Sequence, residues 1–277
     1  MPASRQSESS DSEHPDREQY GDSRRLLARI LFHQRFSTTK YEWYLWVFDH
    51  FHLADSARVL KLGCGTGGLW ARNTDRIPPE WDITLSDLSV GMVREARQAL
   101  GDSGRQFAHV VTDAQAIPFP DQSLDCVIAN HMLYYVPDRA KALSEMHRVL
   151  RCGGRLFATT NGRGHLRELW EMAQKCGIGS GWDADSAGLF GVENAPAELS
   201  HWFAEVELHR YDDALLVTEA EPFIAYVVST MSDASSACSG SQLAALRALV
   251  EDQLARDGSI RITKDSALFE ARREDGD

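Results

Sequence analysis

Cysteine, basic side chains and long apolar runs are all scarce in this sequence. Its 277 residues hold five cysteines, Cys64, Cys126, Cys152, Cys176 and Cys238, an odd number with no Cys-x-x-Cys pair. That pattern argues against a disulfide framework and a zinc site, so no metal is expected, and a reducing cytoplasm fits. Lys and Arg number 29 against 41 Asp and Glu, a formal net charge of -12. A long phosphate backbone would be repelled by such a field, and nucleic acid is not expected as a partner. No apolar run approaches the roughly 20 residues of a membrane-spanning helix. The first residues show no basic start followed by an apolar stretch, so no secretory signal is expected either. What is present is 43% hydrophobic residues, enough for a sizeable core in one large α/β domain with a lid, or in two small domains.

Residues 1–20 are rich in Ser, Glu and Asp and nearly free of apolar side chains. A segment of that kind buries too little surface to offset its ordering entropy, so it reads as a disordered tail ahead of a single domain over 21–277. Residues 21–55 read as N-terminal helices. Leu26, Leu27, Ile30 and Leu31 fall at helical spacing, and Tyr41, Trp43, Tyr44, Trp46, Val47, Phe48 and Phe51 mark a second helix over 40–53. Those rings either fill a core or line a ligand pocket. Residues 56–161 then alternate. Strands are predicted at 57–62, 81–86, 106–111, 124–129 and 155–160. Helices are predicted at 68–77, at 89–100 behind the N-cap Ser89, and at 138–150, the last stopped at Gly153-Gly154. Such alternation implies a mainly parallel sheet covered on both faces. Beyond 161 come a helix at 164–176, a Gly- and Asp-rich stretch at 177–191, a strand at 205–211 and a helix at 220–230. A Ser-rich loop at 232–241, a helix at 242–256 and short strands at 259–263 and 267–271 complete the chain.

The segment Gly63-Cys64-Gly65-Thr66-Gly67-Gly68 follows the first strand and opens a helix. Glycines let the backbone turn sharply and let a ligand approach it, although alone the segment could be an ordinary tight turn. Asp87 ends the second strand, about 20 residues on, where a carboxylate can accept hydrogen bonds from ribose hydroxyls. Thr112-Asp113-Ala114 ends the third strand, and Asp113 could accept from an adenine amino group. Asn130-His131 ends the fourth. Small or polar groups at four consecutive strand ends define one crevice, the place where open α/β sheets bind ligands. Gly63, Gly65 and Gly68 also satisfy the pattern G-x-G-x-x-G, so an NAD(P)-dependent oxidoreductase is a rival reading. Against it, roughly fifty-five residues precede the first strand, whereas a dinucleotide fold often opens with it.

VLKLGCGTG, Asp87 followed by LSVGMVREAR, DAQAIPFPDQSLDCVIANHMLYYVPD and EMHRVLRCGGRLFATTNG resemble successive motifs of class I S-adenosylmethionine (SAM)-dependent methyltransferases. The resemblance is to the branch of ubiquinone/menaquinone-type and natural-product enzymes of secondary metabolism. It covers residues 57–161 closely and the rest loosely. It implies a Rossmann-like seven-stranded sheet whose last strand, 267–271, runs antiparallel. It also implies SAM as cofactor, with contacts at Gly63, Cys64, Gly65, Gly67, Asp87, Leu88, Asp113, Ala114 and Asn130, and with Arg35 or Tyr41 meeting the cofactor's carboxylate. One position departs from the family pattern. Two residues before the first glycine, where an Asp or Glu usually helps to hold the cofactor's ammonium group, stands Lys61. A cation near an ammonium and a sulfonium is unfavourable. Lys61 then points away, grips the carboxylate or weakens the site.

Methyl transfer from a sulfonium is an in-line displacement that needs an aligned nucleophile and sometimes a base. His131 and His165 follow strand ends on the cofactor side and are the candidate catalytic bases. Tyr134 and Tyr135, with Trp170 and Trp182 from a substrate lid over 162–204, are the candidate acceptor contacts, and 205–277 is expected to complete the sheet. The expected activity is methylation of a small, apolar or aromatic metabolite by a cytoplasmic protein, and a homodimer is compatible with the sequence. A methyltransferase-like binding protein or cyclase that has lost methyl transfer is a third reading.

Overall fold

A computed structural model of the chain describes residues 23–179, 190–231 and 238–274. In the central sheet β1 (Arg58–Leu62), β2 (Asp82–Asp87), β3 (Ala108–Val111), β4 (Leu124–Asn130), β5 (Leu150–Asn161), β6 (Glu205–Tyr211) and β9 (Ser266–Arg272) lie in the order β3-β2-β1-β4-β5-β9-β6. β1 to β5 pair in parallel, and β9 runs antiparallel between β5 and β6. The expected seven-stranded sheet with an antiparallel last strand is what the chain forms.

Strand alternation builds the two faces. Leu60 and Leu62 of β1 point into a core with Val127 and Ala129 of β4 and with Leu143 and Met146 of helix α5 (Arg139–Val149). Val59 points the other way, with Ile83 and Leu85 of β2, towards Val47 and Phe48 of α2 (Trp43–Asp49), Leu69 and Trp70 of α3 (Gly68–Asn73) and Ala96 of α4 (Val90–Leu100). Each Val, Leu, Ile, Phe or Met among these, fully buried, contributes about 1.5–3 kcal/mol. Ser89 caps α4 by accepting the Met92 amide.

A separate cluster forms a cap over the carboxyl ends of the strands. β7 (Ala214–Val217) and β8 (Ile260–Thr263) pair antiparallel as a two-stranded sheet. Around it pack α1 (Ser23–Phe36), α6 (Arg167–Lys175), α8 (Ala220–Ser229) and α9 (Gly240–Asp257), joined through Phe32, Leu169, Phe223 and Leu246. This differs from the expected division. Residues 205–277 complete the central sheet only through β6 and β9, and the intervening chain builds the cap. The segment 162–204 also divides. Its α6 belongs to the cap, whereas α7 (Ala195–Leu199) packs Ala195 and Leu199 beneath the central sheet. Gly153-Gly154 does not stop a helix: α5 ends at Val149 and β5 starts at Leu150, with Gly153 and Gly154 bonded to Arg273 beside it. The helix expected over 40–53 is confined to α2.

Candidate active site

The carboxyl ends of β1, β2, β3 and β4 open into one cavity of about 1010 Å³ that continues beneath the cap. Its floor is the glycine loop. Gly63, Gly65 and Gly67 have φ of 59°, 53° and 81°, the left-handed region that favours glycine. A Cβ at Gly63 would sit 3.0 Å from that of Met132, whereas one at Gly65 would meet nothing and would project into open space. The backbone at Gly65 is thus a bare cradle on which a ligand can lie. Asp87 shapes the loop: Oδ2 accepts the Gly65 amide at 3.0 Å and Oδ1 accepts the Ser89 amide at 2.9 Å. Asp87 itself lines the cavity.

Of the expected cofactor residues, Gly63, Cys64, Gly65, Asp87, Leu88, Asp113, Ala114 and Asn130 all line this cavity. Gly67 lies just behind it, in the turn that enters α3, with Ala96 and Leu100 of α4 packed close. Asp113 also accepts bonds from the Gln115 amide and side chain, at 2.9–3.0 Å. Asn130 is the clearest sign of a missing partner, since both its side-chain oxygen and nitrogen are buried without a hydrogen bond. Such orphaned groups cost about 1–3 kcal/mol each unless a ligand or water satisfies them. Burial pushes the Cys64 thiol up to about 12, so it is inert as a nucleophile.

Arg35 and Tyr41 do not reach the cavity. Arg35 pairs with Glu219 on the outside of the cap, and the Tyr41 hydroxyl bonds to Asp49. Arg35 lies two residues from His33 on α1, roughly 200° around the helix, so only one of the two can face inwards. The inward one is His33. The same N-terminal segment presents Trp43 and Tyr44, which do line the site.

His131 and His165 line the same cavity, joined there by His33. His131 stands at φ 50°, an unfavourable backbone for a non-glycine residue, held by its amide donating to the Thr159 carbonyl at 3.0 Å. Its ring centroid is 5.4 Å from that of Trp43. His165 Nδ1 accepts the Asp265 amide at 3.3 Å, which leaves the hydrogen of the neutral ring on Nε2. The His33 and His165 rings stack with centroids 5.9 Å apart, and His33 Nδ1 is buried without a partner. Burial, reinforced by Lys61 and Lys264, pulls His131 down to about 4. Burial, with Lys264 and His131, pulls His33 down to about 3, and burial with His33 holds His165 well below its ordinary value. All three imidazoles are neutral at pH 7.

Lys264 donates to Asp213 at 2.6 Å and sits 5.0 Å above the Tyr211 ring. The side chain of Asp213 is wholly buried and also accepts the Thr38 and Thr39 amides and the Ser37 hydroxyl, which ties the segment between α1 and α2 to the cap. Tyr134 and Tyr135 line the cavity where it passes from β4 towards Pro137. Trp170 does not, being 7% exposed within the cap cluster. Trp182 lies outside the described residues. Trp43, His33, Tyr211, Tyr226 and Lys264 all face the cavity without having been singled out as site residues. The aromatic excess of residues 41–51 was the available signal for Trp43, whereas the other four carry no local motif.

Sheet order, glycine loop and strand-end carboxylates together have the form of the class I SAM-dependent methyltransferase fold. Residues 60–158 match the family model described as a methyltransferase domain. Among curated relatives, the ubiquinone/menaquinone biosynthesis C-methyltransferase UbiE of Yersinia enterocolitica is 35% identical over 117 residues, covering 42% of this chain and 47% of the relative. The chain thus spans about half the length of the curated relatives it matches. The fold is shared with phosphoethanolamine N-methyltransferase 2 of Haemonchus contortus, solved with phosphomonomethylethanolamine and S-adenosylhomocysteine (TM-score 0.56, 18% identity, 94% of this chain and 59% of that one). It is shared also with the 4+2 cyclase SpnF (TM-score 0.53, 20% identity, 84% and 80% covered). No helix among the described residues is long and apolar enough to cross a membrane.

Proposed function

We propose that this protein transfers the methyl group of SAM to a small, apolar or aromatic acceptor held beneath the cap. The observation that carries this reading is the continuity of one cavity of about 1010 Å³, from the glycine loop to the three histidines. Pockets for single drug-sized ligands span roughly 300–1,000 Å³, so there is room for a cofactor and an acceptor side by side. Gly65, Asp87, Asp113 and Asn130 would hold the cofactor, which supplies a methyl group on a sulfonium when bound. Trp43, Tyr134, Tyr135, Tyr211 and Tyr226 offer ring faces to the acceptor and exclude water. His131 follows the cofactor contact Asn130 directly, and as a neutral imidazole it can take a proton from the acceptor's nucleophilic atom. The cap of α1, α6, α8, α9 and the β7–β8 pair acts as the lid, with Leu26, Ile30, Leu166 and Tyr226 on its inner surface. The name of the UbiE relatives, a ubiquinone/menaquinone biosynthesis C-methyltransferase, supports a carbon atom of a quinone-type metabolite as the acceptor.

The test is incubation of the full chain with methyl-labelled SAM and a panel of phenols, quinols and amines, reading both labelled product and S-adenosylhomocysteine. Transfer to a member of the panel is expected, with His131→Ala lowering turnover by roughly 10²–10⁴-fold while cofactor affinity is nearly kept. Tight cofactor binding with no transfer to any acceptor would favour a protein that keeps the fold without the reaction.

A further inference from the structure

Strand alternation puts Lys61 on the same face of β1 as Val59, yet it is no ordinary core residue. It is 3% exposed and lines the cavity. Its Nζ donates to the Leu62 and Gly63 carbonyl oxygens, each at 2.6 Å. Among the described residues no carboxylate forms an ion pair with it. Asp87, the nearest acidic influence, spends its oxygens on the Gly65 and Ser89 amides. The other groups facing Lys61 are the Cys64 thiol, held protonated by burial, and the neutral His131. Lys264, which acts on His131, is already paired with Asp213.

Hydrogen counting gives this arrangement a meaning. An ammonium has three N–H donors, and two carbonyl oxygens leave the third without an acceptor. A neutral amine has two N–H donors and one lone pair, so the same two carbonyls satisfy it fully and the lone pair is left as an acceptor at the cavity wall. The family's carboxylate at this position is also an acceptor. A charged Lys61 would instead repel a ligand that brings both an ammonium and a sulfonium into a site of low dielectric.

We propose that Lys61 binds the cofactor as a neutral amine, its two hydrogens on the Leu62 and Gly63 carbonyl oxygens and its lone pair accepting a hydrogen bond from the α-ammonium group of SAM, while the proton it carried leaves to solvent. The proposal rests on the methyltransferase reading above. No bond other than that N–H breaks, and the released proton balances the charge. Burial already draws the Lys61 ammonium down to about 8, so the proton is within reach of a physiological ligand.

The experiment is isothermal calorimetry of the full chain with SAM, in phosphate and in Tris, from pH 6.5 to 9.5. The two buffers differ in ionisation enthalpy, so the difference in heat counts protons. The wild type should release close to one proton at pH 7, beyond any from the ligand's own amino group. Its affinity should rise by up to about tenfold per pH unit towards pH 8, and fall again only where the ligand's own amino group loses its proton. Lys61→Met should release about one proton fewer and lose that rise. Lys61→Arg, which keeps its charge throughout, should bind weakly at every pH and carries the test if the Met variant does not fold. Equal proton counts in wild type and Lys61→Met would overturn the proposal, because the proton would then be the ligand's. Affinity that falls from about pH 6.5 to 7.5, below the titration of the ligand's amino group, would overturn it too, since Lys61 would then be gripping the carboxylate as a cation. Either result leaves the methyltransferase reading standing. Absence of SAM and S-adenosylhomocysteine binding in every variant at every pH would remove both.

Discussion

Replacing Asp87 by Ala separates the structural from the ligand-binding role of the loop. The carboxylate accepts the Gly65 amide at 3.0 Å and the Ser89 amide at 2.9 Å. Both contacts are partly buried, so water can replace some of what is lost. The cost of the two orphaned amides then falls near the low end of the usual range, about 1–2 kcal/mol together. At roughly 2–4 °C per kcal/mol for a chain of this size, the melting temperature should drop by about 2–8 °C. The binding cost is separate. A charged acceptor lost from a ribose contact is worth about 1–3 kcal/mol, or about 5- to 160-fold in Kd. Asp87→Asn keeps one oxygen and should fall between. Calorimetric titration with S-adenosylhomocysteine, on samples whose fold and melting are followed by circular dichroism, reads both effects. Unchanged affinity in a folded Asp87→Ala variant would refute the cofactor assignment at this strand end.

The remaining predictions concern the cap and the histidines. Trp170→Ala should cost about 3–5 kcal/mol of stability, because the ring sits inside the cap cluster and not against the acceptor. A variant of unchanged stability but impaired acceptor KM would restore its expected substrate role. Stability should also fall on acidification. His33, His131 and His165 have folded-state pKa values of about 3, about 4 and well below the ordinary one. Unfolded, they titrate near 6.5, so from about pH 6.5 downwards the unfolded chain binds more protons. Each histidine then removes up to about 1.4 kcal/mol per pH unit until its folded pKa is reached. Urea denaturation at pH 7 and pH 5 checks this, with His33→Gln expected to lessen the loss, and equal wild-type stability at the two pH values would refute it.

The central sheet was legible in the sequence because β1, β2 and β4 are short runs that each lead through a turn into a helix. Ser89 at the head of α4 is a local cap that needs no tertiary knowledge. The cap was not legible for a matching reason. β7 is four residues, Ala214–Val217, set between Asp213 and Thr218, too short to show alternation. Its partner β8 matches the strand expected at 259–263, but it lies beyond two helices, so only tertiary pairing shows that it joins β7 and not the central sheet. Gly153-Gly154 misled because glycine commonly marks a helix end, but here it lies in β5 beside the returning Arg273, where backbone pairing overrode the signal.

The two halves of the cavity differ in the same way, and that difference bears on how the site works. The cofactor half is drawn from consecutive strand ends, each in a motif, and its ligand geometry is dictated by backbone: glycine φ angles and amides that a carboxylate gathers. The half proposed to hold the acceptor is drawn from His33 on α1, His131 after β4, His165 after β5, Tyr226 on α8 and Lys264 between β8 and β9. No two of these share a motif, and what aligns them is the burial of the cap and the anchoring of residues 37–39 and Lys264 on Asp213. Asp213 ties the N-terminal segment, β7 and the β8–β9 turn together: displacing the turn would unpair its buried charge, and displacing residues 37–39 would strip from it the hydrogen bonds of Ser37, Thr38 and Thr39. The part of the cavity beneath the cap is therefore assembled as a unit, and its arrangement follows from tertiary packing where that of the glycine cradle follows from local sequence.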